Sequence, residues 1–185
     1  MNTFVVANPH KCIGCKACEI ACAIAHLKSD IHTASVNETS FLPRVHLIRA
    51  PQVTMPIQCR QCEDAPCANV CPVNAITQEE NCIVVHSERC IGCKTCMIAC
   101  PFGAMDMALE EELQGVLQVI DGDSKMLKQN MVAQKCDLCI GRLGGPACVE
   151  ICPGEAFLIV SQQVLEDDIK EKRVSRAIEM VRKRM

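Results

Sequence analysis

Sixteen of the 17 cysteines in this 185-residue sequence fall into four groups of four. The first and third groups read C-x2-C-x2-C-x3-C and consist of Cys12, Cys15, Cys18, Cys22 and of Cys90, Cys93, Cys96, Cys100. Three thiolates at this spacing allow one loop to hold three irons of a 4Fe-4S cube. The second and fourth groups have a wider middle gap and consist of Cys59, Cys62, Cys67, Cys71 and of Cys136, Cys139, Cys148, Cys152. Taken alone, either of these two groups also suits zinc.

The separation of the groups predicts how they combine. Where two such runs occur together, the fourth cysteine of each run ligates the cluster of the other run. The second and third groups are 19 positions apart, whereas the gaps on either side of them are 37 and 36 positions. We therefore pair group two with group three and group one with group four. The predicted ligand sets are Cys12, Cys15, Cys18, Cys152; Cys59, Cys62, Cys67, Cys100; Cys90, Cys93, Cys96, Cys71; and Cys136, Cys139, Cys148, Cys22.

Proline follows the last cysteine in three of the four groups, as is typical of runs that bind 4Fe-4S clusters. These prolines are Pro72, Pro101 and Pro153, whereas Ala23 follows Cys22. We treat the exception as minor.

The composition indicates that something other than aromatic side chains fills the interior. The chain has no Trp, no Tyr and four Phe, and bound metal centres stabilise a folded chain strongly. The formal net charge of -3 is not the profile of a nucleic-acid-binding protein. The sequence shows no signal peptide before Cys12 and no apolar stretch of membrane-spanning length, so we expect a cytoplasmic protein without a direct membrane span.

Short elements are expected around the cysteine groups, which gives an α+β fold. Bounded apolar runs predict strands at Phe4–Ala7 and Cys82–Val85, where we expect hairpins. Helices are predicted at Lys16–His26 and Lys94–Ala99, the latter ended by Pro101. Residues 28–58 and 103–135 are interpreted as connections.

The sequence is similar to a known family through four runs: CIGCKACEIAC, CRQCEDAPCANVCPVNAI, CIGCKTCMIACPFGA and KCDLCIGRLGGPACVEICP. They resemble the four-cluster electron-transfer subunits of molybdopterin or tungstopterin oxidoreductases, most of all the polyferredoxin subunits of formate hydrogenlyase and hydrogen-dependent carbon dioxide reductase. The resemblance covers residues 3–160. It implies four 4Fe-4S clusters, electron relay between a formate dehydrogenase and a hydrogenase, and no catalytic site in this chain. Dimethyl sulfoxide reductase, nitrate reductase and aldehyde oxidoreductase complexes use similar subunits.

Two bacterial-type ferredoxin modules then account for the fold, one inserted in the other. Residues 1–58 and 103–160 form the outer module, and residues 59–102 form the inserted module. Residues 161–185 are predicted to form an amphipathic helix, because apolar residues recur at helical spacing among charges. This helix either folds back on its own core or docks on another subunit or a second copy, which includes assembly into a filament.

Two other functions stay open at this point. The chain can be a free ferredoxin or an electron donor for maturation, and the less favoured alternative is a structural zinc protein. The remaining cysteine, Cys82, is interpreted as a buried hydrophobic residue. Arg60 and Arg89 lie beside ligand cysteines but are interpreted as solvated charges. The five histidines show no ligand-like spacing, so no metal role is assigned to them.

Overall fold

The structure is a computed structural model that describes residues 1–27, 41–109 and 131–183. Its strands are β1 (Phe4–Ala7), β2 (Val45–Ala50), β3 (Val53–Gln58), β4 (Ile76–Glu79), β5 (Cys82–Val85), β6 (Asp106–Leu109), β7 (Met131–Gln134) and β8 (Phe157–Val160). Its helices are α1 (Ala17–Ala25), α2 (Pro66–Asn69), α3 (Thr95–Ala99), α4 (Ala147–Glu150) and α5 (Gln162–Arg182). The predicted strands and the two predicted short helices are confirmed, with boundaries shifted by one residue at most.

The strands form two-stranded antiparallel sheets, in the pairs β1–β8, β2–β3, β4–β5 and β6–β7. Strand β5 forms the expected hairpin with β4. Strand β1 instead pairs with β8 at the other end of the sequence, so that Phe4 lies opposite Val160 and Ala7 opposite Phe157. This sheet brings the first and fourth cysteine groups together, because β1 precedes one group and β8 follows the other.

The interior divides the cysteine groups between two hydrophobic clusters. One cluster contains Ile76, Ile83 and Met105, and the cysteines in or against it come from groups two and three. The second cluster is formed around Val45 and Phe157, and its cysteines come from groups one and four. The helices follow the same division, since α1 packs against α4 and α2 packs against α3.

The first and third groups use the same backbone conformation. Gly14 and Gly92, inside the first gap of each group, have φ angles of +70° and +68°. Lys16 and Lys94, just before helices α1 and α3, have φ angles of 66° and 65°. The repeat in the sequence is therefore also a repeat in local structure.

Strands β2, β3, β6 and β7 correct the sequence interpretation, which assigned residues 28–58 and 103–135 to connections. Short antiparallel pairs of this kind carry a weak sequence pattern, because only part of one face is buried. In β2, for example, Val45 is buried, whereas Ile48 is exposed. Residues 28–40 and 110–130 of these connections lie outside the described residues.

The C-terminal helix is present as predicted. The Ser161 hydroxyl accepts a hydrogen bond from the backbone N–H of Val164 at 3.4 Å and so caps its first turn. Every residue from Gln162 to Lys183 is exposed, so the structure does not pack this helix against the core. Across the described ranges, no helix is both long enough and apolar enough to cross a bilayer.

Two glycines with similar backbone angles provide a test of the third-group loop. A Cβ atom on Gly92 would lie 2.5 Å from the backbone oxygen of Met131, whereas a Cβ on Gly103, which has a φ angle of +58°, would meet nothing within 4 Å. Gly103→Ala should cost only the strain of the left-handed conformation, about 1 kcal/mol. Gly92→Ala should cost more, roughly 3 kcal/mol, because the backbone must also move. Thermal unfolding under anaerobic conditions at one scan rate compares the two, and equal midpoints would contradict the close packing of this loop.

Candidate iron–sulfur sites

The predicted ligand sets define four candidate sites, which we number 1 to 4. Site 1 is a cavity lined by Cys12, Cys15, Cys18 and Cys152. Site 2 is a cavity lined by Cys59, Cys62, Cys67 and Cys100. In both cavities, three cysteines of one group meet the last cysteine of another group. Four sulfur donors around one cavity suit a 4Fe-4S cluster.

Sites 3 and 4 are indicated by the electrostatic effect that neighbouring cysteine thiols have on one another. At site 4, burial raises the pKa of the Cys148 thiol to about 12, and Cys22 and Cys139 raise it further through their negative charge. Burial and the negative charges of Cys148 and Cys22 raise the pKa of the Cys136 thiol in the same way. At site 3, burial and then Cys90 and Cys93 raise the pKa of Cys96. Cys71 packs against the same hydrophobic cluster as Cys96, as do Cys67 and Cys100 of site 2.

The raised pKa values of the cysteine thiols indicate their protonation state before a metal binds. Burial raises the pKa of Cys18 and of Cys67 to about 11, so these residues are neutral thiols near pH 7 when no metal binds. Iron is ligated by thiolates. Loading of the sites therefore releases protons, and the bound cations offset the repulsion among thiolates.

Backbone N–H groups point at the last cysteine of every group. In three groups the donor is four residues later in the chain: Ala75 donates to Cys71 at 3.2 Å, Ala104 to Cys100 at 3.4 Å and Ala156 to Cys152 at 3.4 Å. The residue just before each of these donors has a positive φ angle, and these residues are Asn74, Gly103 and Glu155. The turn that follows Cys-Pro thus supplies a hydrogen bond to sulfur, which is one of the factors that set a cluster's reduction potential.

Cys22 departs from this arrangement, and the reason is the missing proline. Helix α1 continues past Cys22 to Ala25, whereas α3 ends one residue before Cys100. The backbone N–H of Arg44, from a distant part of the chain, donates to the Cys22 sulfur at 3.3 Å. The difference that the sequence analysis treated as minor therefore changes how this sulfur is hydrogen-bonded.

An ion-pair network adjoins site 4. The Arg44 guanidinium lies 2.5 Å and the His26 ring 2.9 Å from the two carboxylate oxygens of Asp137. Burial disfavours charge on both ionisable partners, yet their hydrogen bond raises the pKa of His26 to about 10 and holds that of Asp137 well below its usual range. The donor atoms of His26, Asp137 and Cys139 lie within 4.8 Å of one another. Since Arg44 already neutralises the carboxylate, we interpret this group as support for Cys139.

A buried polar cluster joins the elements around sites 2 and 4, and we call it the junction cluster: Asn2, Gln61, Ile83, Lys135 and Cys136. The Gln61 side chain donates to the Cys136 carbonyl at 2.8 Å and accepts from the backbone N–H of Ile83 at 2.9 Å. The Asn2 side chain donates to the Gln61 carbonyl at 2.9 Å. Gln61 is only 1% exposed, so these hydrogen bonds are shielded from water.

The sequence analysis missed most of these polar residues. Lys135 precedes a ligand cysteine directly, as Arg89 does, and adjacency to a cysteine was the available indication. Gln61 and Asp137 also adjoin ligand cysteines, Cys62 and Cys136, whereas Arg44 carried no such indication. The contacts of all three residues join distant segments. Cys82 is 6% exposed on β5, which confirms its interpretation as a buried residue. Arg60 is half-buried, with its guanidinium carbon 5.9 Å from the centre of the Phe102 ring, so it is more enclosed than a solvated charge.

Comparison with known proteins identifies the type of domain. The sequence matches the family described as 4Fe-4S dicluster domain over residues 82–153 and, in a second version, over residues 57–104. Residues 9–23 match a 4Fe-4S binding domain.

Full-length relatives extend this result. The chain is 43% identical to the electron transport protein HydN of Escherichia coli (strain K12) over 173 residues, which cover 94% of this chain and 96% of HydN. It is 37% identical to hydrogenase-4 component A of the same strain, over 94% of this chain and 89% of that protein. The chain therefore belongs to the family of 4Fe-4S dicluster electron-transport proteins that includes HydN.

Proposed function

We propose that this chain binds four 4Fe-4S clusters and relays electrons between the catalytic subunits of an oxidoreductase complex. In this proposal, two ferredoxin modules carry the clusters, with the module of residues 59–102 inserted into that of residues 1–58 and 103–160. The observation that carries the proposal is the division of the cysteines between two hydrophobic clusters, groups two and three in one and groups one and four in the other. Pairing of β1 with β8 supports the same arrangement.

Sites 1 to 4 are the proposed ligand sets, with each fourth cysteine supplied by the paired group. The cavities at sites 1 and 2 support two sets directly, and the mutual influence of the thiols supports the set at site 4. At site 3 that influence supports Cys90, Cys93 and Cys96, and Cys71 is assigned by the exchange of ligands between paired groups. A bound 4Fe-4S cluster takes up and passes on one electron at a time. The chain holds the irons through thiolates, donates N–H groups to sulfur and limits contact with water. Its relatives are named as electron transport proteins and components, in agreement with a subunit that has no catalytic site of its own.

The partners that we propose are a hydrogenase and a formate dehydrogenase. The name of one relative, hydrogenase-4 component A, supports the hydrogenase, and the formate dehydrogenase rests on the sequence resemblance. The C-terminal helix α5 is proposed to dock on a neighbouring subunit or a second copy, because its apolar residues, among them Val174 at 53% and Val181 at 61% exposure, find no cover on the core. A cytoplasmic location stays a prediction from the sequence.

Metal analysis tests the cofactor. Protein purified without oxygen should be brown and contain about sixteen irons and as many acid-labile sulfides per chain, four of each per cluster. Colourless protein filled with zinc would contradict the proposal and favour a structural zinc protein.

Serine substitutions test the exchange of ligands between groups. Cys71→Ser should alter the same electron paramagnetic resonance signal as Cys93→Ser, because both cysteines belong to site 3. Cys62→Ser is the matched control, since it lies in the same group as Cys71 but belongs to site 2, and it should alter a different signal. If Cys71→Ser and Cys62→Ser affect one signal and Cys93→Ser another, each group ligates its own cluster.

Removal of helix α5 tests the partner interaction. Truncation after Ser161 should leave iron content and thermal midpoint unchanged, because no residue of the helix is buried. Tagged full-length chain, recovered from anaerobic cells, should copurify with large hydrogenase or formate dehydrogenase subunits, and the truncated chain should recover several-fold less of them. Full-length chain that carries its clusters but copurifies with no large subunit would favour a free ferredoxin or a maturation donor.

A further inference from the structure

Lys135 is a cation in the interior of the protein. Lys135 is only 4% exposed. Its Nζ donates to the Gln61 side-chain oxygen at 3.2 Å, to the Cys136 carbonyl at 3.0 Å and to the Ile83 carbonyl. A lysine ammonium has three N–H donors, so three acceptors match its full capacity.

The three acceptors are neutral, unlike the carboxylate partners of Lys16 and Arg44. Within the described ranges, no carboxylate lies within 4.0 Å of its Nζ. Lys16, which lines the cavity of site 1, is 57% exposed and lies 3.6 Å from Glu19. Arg44 and His26, near site 4, share the carboxylate of Asp137. A buried charge without a counter-charge is strongly unfavourable, so the charge of Lys135 calls for a negative group nearby.

Site 2 provides that group. Lys135 lines the cavity of site 2 together with its four cysteines. The four cysteines ligate iron as thiolates, which carry negative charge. Lys135 therefore lies beside the negative charge of site 2, although the residue adjoins a ligand of site 4 in sequence.

We propose that Lys135 raises the reduction potential of the cluster at site 2. The inference rests on the proposed four-cluster function. Uptake of one electron from a donor subunit adds one negative charge at the site, with no proton transferred, and the electron leaves again to an acceptor subunit. A fixed positive charge in a medium of low dielectric constant stabilises the more negative state. Arg60, which lines the same cavity, adds a second positive charge that is closer to solvent.

Lys135→Met provides the test, with Lys16→Met as the matched control at site 1. Both remove one positive charge that lines a cluster cavity. In an anaerobic redox titration followed by electron paramagnetic resonance, Lys135→Met should lower the midpoint potential of the signal that Cys62→Ser alters. We expect at least a tenfold change in its reduced-to-oxidised ratio at fixed solution potential, which is about 59 mV for a one-electron couple. Lys16→Met should move no potential by that much.

Gln61→Glu keeps Lys135 and places a carboxylate beside its Nζ, so it should lower the same potential without removal of the ammonium. If Lys135→Met fails to assemble its clusters, the redox titration of Gln61→Glu tests the proposal instead. An unchanged site 2 potential, equal shifts of all four signals, or failure of both variants to assemble four clusters would overturn the proposal, because each outcome assigns Lys135 a structural role only. Wild-type protein without iron and sulfide would instead refute the proposed function, and the two failures are therefore distinguishable.

Discussion

Repulsion among buried thiolates is the constraint on which the rest of this structure depends. The interior is built from small aliphatic side chains and cysteines, and the sequence has no Trp or Tyr to fill it. Sulfur atoms as close together as those of Cys22, Cys139 and Cys148 cannot all ionise unless a cation binds among them. Metal binding therefore stabilises the folded chain. The small hydrophobic clusters position the sulfurs but contribute only part of the stability.

The same turn occurs beside the last cysteine of three of the four groups. A Cys-Pro pair, a residue with a positive φ angle and an alanine N–H four positions after the cysteine occur at Cys71, Cys100 and Cys152. At Cys22 the helix continues and a different segment supplies the hydrogen bond. The environments of the sites are therefore related but not equal, and differences in reduction potential arise from such local departures.

The residue types and spacings predicted the parts of this protein that are local in sequence. The cysteine groups, the helix after Cys15 and the strand that contains Cys82 each follow from a few neighbouring residues. Strands β2 and β7 were missed because their pairing depends on partners that a short apolar pattern does not reveal. The contacts of Lys135 with Gln61 and of Arg44 with Asp137 were missed for the same reason, since they join residues 74 and 93 positions apart. The charged and polar contacts around the sites could therefore be identified only from the structure.

The sheet of β1 and β8 has a consequence for synthesis on the ribosome. Residues 4–7 emerge first, yet their partner strand at 157–160 is among the last parts of the core to be made. At about 5–20 residues per second, roughly 8 to 30 seconds separate the two. During that interval β1 has no partner strand, whereas β4 and β5, which pair with each other, have both been made. A nascent chain can therefore form the β4–β5 hairpin well before the β1–β8 sheet, and premature termination would leave β1 unpaired.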